Sequence, residues 1–342
     1  MRKRNKVNQK GLESALSEAV RGVRFELEWR SFFKRIGVLP LLTLVLIIIF
    51  GTINPRFFTI SNMTIVARQC TYLAIISIGQ MVVLLVGGFD LSVGSMCAFT
   101  SIISTNVMLL FSDPLTSIAV GILAGICAST LVGLVNGLVV ANFGVPPFIV
   151  TLGMMEIIHG LTLIISAGTP VFGFPDQFSL FFGLGMVFGI PLPVMITFFL
   201  SVVMFLMITC THIGRYFWAI GDSLETAALS GISVKKYLVF AYALCGLMAG
   251  ITGILLTARV ASGEPRLGAA LMMQSLVAAV IGGVAVGGGS GNVPGTLLGA
   301  IFIGILANGM NLANIGSYVQ IMVLGCFLIL AVIVDRYMHQ AR

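Results

Sequence analysis

The sequence predicts an all-α membrane protein: a polytopic bundle of about ten transmembrane helices with both termini cytoplasmic. Three observations lead there. Hydrophobic residues make up 58% of the 342 and charged residues only 9%, and a soluble domain of that make-up could not cover its core with polar surface. Apolar runs of about 20 residues, the length that lets a helix cross the hydrocarbon layer, recur along the whole chain. Lys and Arg gather where an inward-facing surface would hold them.

The N-terminal tail comes first. Ten of the nineteen Lys and Arg precede residue 36, opposed there only by Glu13, Glu18, Glu26 and Glu28. The net charge of +7 is therefore a property of a cytoplasmic tail and not a nucleic-acid patch. The basic region and the apolar run after it are too long for a removable signal peptide. Within residues 1–35, Leu12, Leu16, Ala19, Val20, Val23 and Leu27 recur at helical spacing, which suggests an amphipathic helix on the inner membrane surface.

The spans follow in order, at roughly 36–53, 63–86, 92–111, 116–141, 147–167, 186–210, 238–258, 271–287, 295–311 and 317–334. With the tail inside, an even number of crossings returns residues 337–342 to the cytoplasm, so that 36–336 is one membrane domain. The loop 211–237 also lies inside, and "GTPVFGFPDQFSLFFGLG" and "RVASGEPRLGAA" outside. The stretches 63–111 and 271–311 are open to breaks or re-entry. "GGFDLSVGS" and "GGVAVGGGSG" each place Gly-Gly before Val-Gly and Ser, which hints at an internal duplication or at chance. GxxxG pairs at Gly121 and Gly125, Gly133 and Gly137, Gly185 and Gly189, Gly246 and Gly250, and Gly295 and Gly299 predict close helix contacts. The six cysteines form no CxxC and are expected as buried reduced thiols.

Most searches for chemistry return nothing. Glu156 and His159 have ExxH spacing, but a helical di-metal site needs a second such motif and none occurs, so no metal site is expected. "GGGSGN" lacks the last glycine of a nucleophile elbow and reads as a cytoplasmic turn. No Gly-Lys dipeptide exists, so there is no phosphate-cradling loop and any ATP binds elsewhere. Few ionisable residues approach the membrane interior, where they are costly and functional suspects. Asp90 either caps the next helix or faces a translocation path; Glu156 either pairs with a neighbouring helix or lines such a path; Asn136 is an interhelical hydrogen-bonder with a weaker claim on the path. Arg68 lies near an outer helix end.

One long polar interruption divides the second half, "GDSLETAALSGISVKKY" at 221–237. Asp222 and Glu225 have capping-box spacing, and Gly231 is placed to end a helix of about eight residues in a left-handed turn. Leu224, Ala227, Ala228 and Gly231 would share one shallow apolar face, and Ser233 can cap the following helix. Such an element is either a knob that fits a groove on another protein or a plain connector.

"ETAALSG" resembles the EAA coupling loop of ABC importer permeases, with Glu225, Ala227, Ala228 and Gly231 matching. From about 55 to 336, "GGFDLSVGS", "NGLVVANFGVPPFIVTLGM", "GRYFWAIGD", "ETAALSGISV" and "GILANGMNLANIGSYVQIMV" resemble the ribose-type sugar permeases, the group that includes xylose, arabinose, galactose and autoinducer-2 permeases. Phe89 stands where that group more often has Ile, and the tail is longer than its members suggest. The resemblance implies a multi-pass subunit of the bacterial inner membrane that carries a monosaccharide and holds no cofactor. Its partners would be a separate ATP-binding subunit, a periplasmic sugar-binding protein, and a second copy or sister permease. In such a coupling helix Ala227, Ala228 and Gly231 are expected to make the contact with the ATPase, Glu225 to fix the helix start and pair with the ATPase, and Asp222 to open the capping box. The alternative, an ion-driven secondary transporter, needs buried mid-membrane carboxylates, for which only Glu156 is suited.

Overall fold

The computed structural model describes residues 39–340, so the expected amphipathic tail helix lies outside the described residues. The chain divides into two units at Val45 and Leu46. Of the first, Leu39–Val45 is described, the start of helix α1 (Leu39–Ile53). The second holds α2 (Ile60–Leu85), α3 (Val93–Met108), α4 (Pro114–Phe143), α5 (Pro147–Ser166), α6 (Leu192–Cys210), α7 (His212–Asp222), α8 (Leu224–Leu229), α9 (Val234–Val260), α10 (Leu271–Ile281), α11 (Val293–Leu312) and α12 (Ser317–Gln340).

Every expected span contains a helix. Six of them, α2, α4, α5, α6, α9 and α11, are long and apolar enough to cross a membrane, whereas α1, α3, α10 and the described apolar part of α12 are shorter. Local chemistry sets the ends. The Asp113 carboxylate accepts from Thr116 N at 2.8 Å ahead of Pro114, and Gly144 closes α4 at φ +64°; Asn292 accepts from Gly295 N at 2.7 Å to start α11. The expected span 271–287 stops at Ile281 because Gly282 and Gly283 end it, the latter at φ +88°. The expected span 186–210 starts only at Leu192. Before it, Phe188 and Gly189 both take positive φ and turn a two-residue hairpin, β1 (Met186–Val187) against β2 (Ile190–Pro191), as a tight primed turn requires.

Helix α2 forms the centre of the larger unit, with 83% of its most apolar window buried, against 17% for α5. It packs on α9, α11 and α10. Four of the five GxxxG pairs make close contacts. Gly133 and Gly137 of α4 meet α9 around Tyr242 and Gly246, Gly250 meets Ile126 and Ser129, Gly121 and Gly125 meet α3, and Gly299 meets Ala278 of α10. Gly185 instead precedes the hairpin and Gly189 sits in its turn. Without a hydrophobic force between helices in lipid, such close backbone approach and buried polar pairs hold the bundle. Asn62 of α2 and Asn308 of α11 exchange side-chain amide hydrogen bonds at 3.1 and 3.0 Å. Of the cysteines, Cys70, Cys97 and Cys245 are buried, but Cys127, Cys210 and Cys326 are exposed on the surface of the chain, which corrects the expectation that all were interior.

Candidate functional site

The polar interruption folds as two helices and not one. Thr211 caps α7 by accepting from Ile213 N at 3.1 Å, and α7 turns Gly214, Phe217 and Ile220 inward. Asp222 completes α7, so the cap of α8 falls to Ser223, whose hydroxyl accepts from Thr226 N at 3.2 Å. The expected Asp222 to Glu225 capping box is therefore replaced by a single hydroxyl cap set a residue later, and α8 has six residues, about 9 Å of helix. Gly231 ends it as expected, at φ +81°. Its N–H donates to Ala228 O at 3.0 Å and that of Ile232 to Ala227 O at 3.1 Å, the pairing that closes a helix on a left-handed residue. Ser233 precedes α9 without a side-chain cap bond.

The apolar face drawn from the sequence splits in two. Ala227 is 2% exposed and joins the core cluster that contains Leu85, Phe217, Ile220 and Val284, so a contact role for Ala227 is corrected to that of an anchor. Leu224, Glu225, Ala228 and Leu229 remain exposed, Leu229 by 84%. The outer face of α8 is thus apolar and small, with one carboxylate.

Close backbone contacts at glycines lock α7 and α8 to the bundle. A β-carbon on Gly221 would collide with the Leu85 carbonyl and with the Gly289 nitrogen. Gly289 N donates to Leu85 O at 3.0 Å, Trp218 Nε1 donates to Gly291 O at 3.3 Å, and a β-carbon on Gly288 would stand 2.9 Å from Gly87 N. The two Gly-rich strings singled out in the sequence therefore meet each other here, at the end of α2. Only residues without side chains permit three backbones this close.

The turn after Gly87 leads directly to Asp90. Its side chain is fully buried, and Oδ1 accepts from Ser92 N at 2.9 Å and from Ser92 Oγ at 2.6 Å. The cap of α3 is Ser92, so Asp90 closes the turn before the helix instead of capping its first turn. Asn136 of α4 donates to Ser92 Oγ at 2.9 Å, and Tyr242 of α9 donates to Phe89 O at 3.3 Å. Burial pushes the Asp90 carboxyl up to about 6, with the Ser92 bonds, Asn136 and Cys245 pulling it back. Asp90 Oδ2 and Asn136 Oδ1 are buried acceptors without a hydrogen-bonded donor, and a proton on the carboxyl would supply one. Two of the sequence's three path candidates, Asp90 and Asn136, thus form one buried cluster beneath the glycine junction.

Comparison with known proteins decides what this arrangement belongs to. The family described as the branched-chain amino acid transport system / permease component matches residues 62–332. The chain belongs to that permease family. The ribose import permease protein RbsC of Escherichia coli K12 is 38% identical over 86% of this chain and 91% of its own length. The D-allose transport system permease protein AlsC of the same strain is 33% identical over 89% and 92%, and the L-arabinose permease protein AraH of Azospirillum brasilense 31% identical over 88% of each. No solved structure matches the chain. The permease is a multi-pass protein of the bacterial inner membrane.

Other candidates of the permease stand apart from the junction. Glu156 lies on the exposed side of α5, whereas Asp90 and Asn136 are fully buried. Among the described residues no cluster of His, Cys, Asp and Glu is arranged to hold a metal. Arg68 donates to Leu184 O at 3.0 Å, an interhelical tie to the segment before the hairpin. Helix α7 was missed by hydropathy, yet Ile213, Phe217 and Ile220 at i, i+4 and i+7 carried its amphipathic signal.

Proposed function

We propose that the permease is the membrane subunit of an ATP-driven importer of a monosaccharide, a pentose or hexose of the ribose, allose and arabinose kind carried by its relatives. Family membership over most of the chain supports this over an ion-driven carrier. The observation that carries the coupling step is α8, a capped helix with a small outer face, anchored inward by Ala227 and next to the locked glycine junction.

In this reading ten helices cross the membrane with both termini inside, residues 36–336 form the permease domain, and 211–237 is the coupling loop between basic tails. A second copy or sister permease completes the path, a periplasmic binding protein delivers the sugar, and a separate subunit binds and hydrolyses ATP, so the chain itself carries no cofactor. Leu224, Glu225, Ala228 and Leu229 dock into a groove of the ATPase, where small side chains let backbones approach and lose little rotamer entropy. Asp222, Ser223 and Gly231 set the shape of the knob. Closure of the ATPase pair then moves α7 and α8 as one lever. Because Gly221 abuts Leu85 and Gly288 abuts Gly87, the push reaches the turn that holds Asp90, Ser92 and Asn136, and through it the start of α3, switching the bundle between inward and outward states.

The test places one cysteine at Ala228 in a chain freed of its six native cysteines, followed by cross-linking in native membranes. Capture of an ATP-binding protein in a nucleotide-dependent manner is the expected result. Efficient labelling with no captured protein would make α8 a plain connector.

A further inference from the structure

Between α9 and α10, residues 261–270 contain no helix, yet they do not project from the protein. Gly263 pairs with Val171 and packs against Thr105, Glu264 N donates to Ser101 Oγ at 3.0 Å, a β-carbon on Gly268 would lie 2.7 Å from Cys97 Cβ, and one on Gly94 3.0 Å from Gly268 O. The segment therefore runs down α3 from Thr105 to Gly94, about 16 Å along that helix and more than half of a ~30 Å hydrocarbon layer. The sequence had placed "RVASGEPRLGAA" as an outer loop. Non-helical backbone at such depth persists only where protein buries it or where it lines a water-filled cavity.

A cavity is present at that place. Its volume is about 340 Å³, and it is lined by Ser95 and Ala98 of α3, Met155 and His159 of α5, Arg266 of the segment and Met272 of α10, among others. That size suits one small solute. Most of the wall is apolar, with a guanidinium, an imidazole and a hydroxyl set into it. Helical spacing puts the cavity at the edge of the protein: Thr151, Ile158 and Thr162 of α5 face inward, Met155 and His159 come next around the helix, and exposed Glu156 lies one step of about 100° beyond Met155. A carboxylate and a guanidinium at the rim are costly against lipid and suit a wet passage.

We propose that this cavity is the transit site for the importer's monosaccharide within the membrane, with Arg266 and His159 donating to sugar hydroxyls and Met155 and Met272 packing on the C–H face. The inference rests on the sugar-importer reading above and assigns its path to named residues. Few polar contacts on an apolar wall hold such a solute weakly, as release to the cytoplasm requires.

The experiment uses the full complex of permease, ATPase and binding protein in proteoliposomes, with D-ribose, D-allose and L-arabinose as probe cargoes. In a chain without native cysteines, Ser95→Cys should react with a charged, water-soluble thiol reagent in at least one nucleotide state. Sugar-loaded binding protein should slow the reaction about threefold or more. No reaction in any state overturns the cavity as a passage, whatever the cargo. Met155→Trp, which fills the space, should lower uptake at least about tenfold with ATP hydrolysis stimulated by the binding protein retained, while Ile157→Trp on the exposed side of the same helix keeps uptake. Undiminished uptake by Met155→Trp would overturn the proposal. A wild-type complex that takes up none of the three sugars would instead count against the sugar reading, and labelling at position 95 would separate that failure from failure of the cavity.

Discussion

Two adjacent alanines of α8 should respond in opposite ways to enlargement, because one points into the bundle and the other away. Ala227 is 2% exposed within a packed cluster, so Ala227→Leu forces an isobutyl group where only a methyl fits. Overpacking of this sort costs about 1–3 kcal/mol. Ala228 is exposed, and a surface substitution there should change the stability of the isolated permease by no more than about 0.5 kcal/mol. In the assembled importer the outcome reverses for Ala228→Arg. A charge driven unpaired into a protein interface costs about 2–5 kcal/mol, which is a loss of affinity for the ATPase of about thirtyfold at the least. Thermal unfolding of the purified permease in detergent, ATPase co-purification and sugar uptake separate the two. Ala227→Leu should unfold earlier; Ala228→Arg should unfold like the wild type yet recover little ATPase and transport nothing. Wild-type uptake by Ala228→Arg would refute the docking face, and wild-type stability of Ala227→Leu would refute the anchor.

Further predictions rest on the neighbouring contacts. Ser223→Ala removes the hydroxyl that accepts from Thr226 N and should destabilise α8 by about 1 kcal/mol, seen as faster amide exchange over 224–229 with the transmembrane helices unchanged. Gly221→Val sets a side chain against Leu85 O and Gly289 N; the variant should still capture the ATPase through α8 but lose most of its uptake, and retained uptake would show that the junction transmits nothing. The Asp90 carboxyl, raised from 3.8 to about 6, holds its proton more tightly in the folded chain than in the unfolded one. Its contribution to stability is therefore full below about pH 4 and is lost as pH rises through about 6. Asp90→Asn should remove that slope between pH 4 and 6, measured as unfolding temperature against pH, and an unchanged slope would place its origin elsewhere.

Helix existence was legible in the chain because partition into lipid depends on local composition alone. Ten apolar runs stand where helices form, and Gly231 announced the end of α8 since only a left-handed turn suits it there. The start of α8 was misplaced by one residue because Asp222 and Ser223 are both good caps, and the choice went to the residue left free when α7 took Asp222 as its last turn. The inward turn of Ala227 was equally hidden, as helical spacing orders residues around an axis without saying which side meets the bundle.

The sequence by itself determined that this is a membrane bundle interrupted by a short capped helix, and its motifs placed it among sugar permeases. The tertiary structure alone decided that Gly87, Gly221 and Gly288 meet, that Asp90 shares Ser92 with Asn136, and that residues 261–270 descend along α3 beside a cavity. Lipid and protein interior are both apolar, so hydropathy cannot tell a helix that faces one from a helix that faces the other. That distinction arises only from which backbones can approach and which buried polar groups find partners.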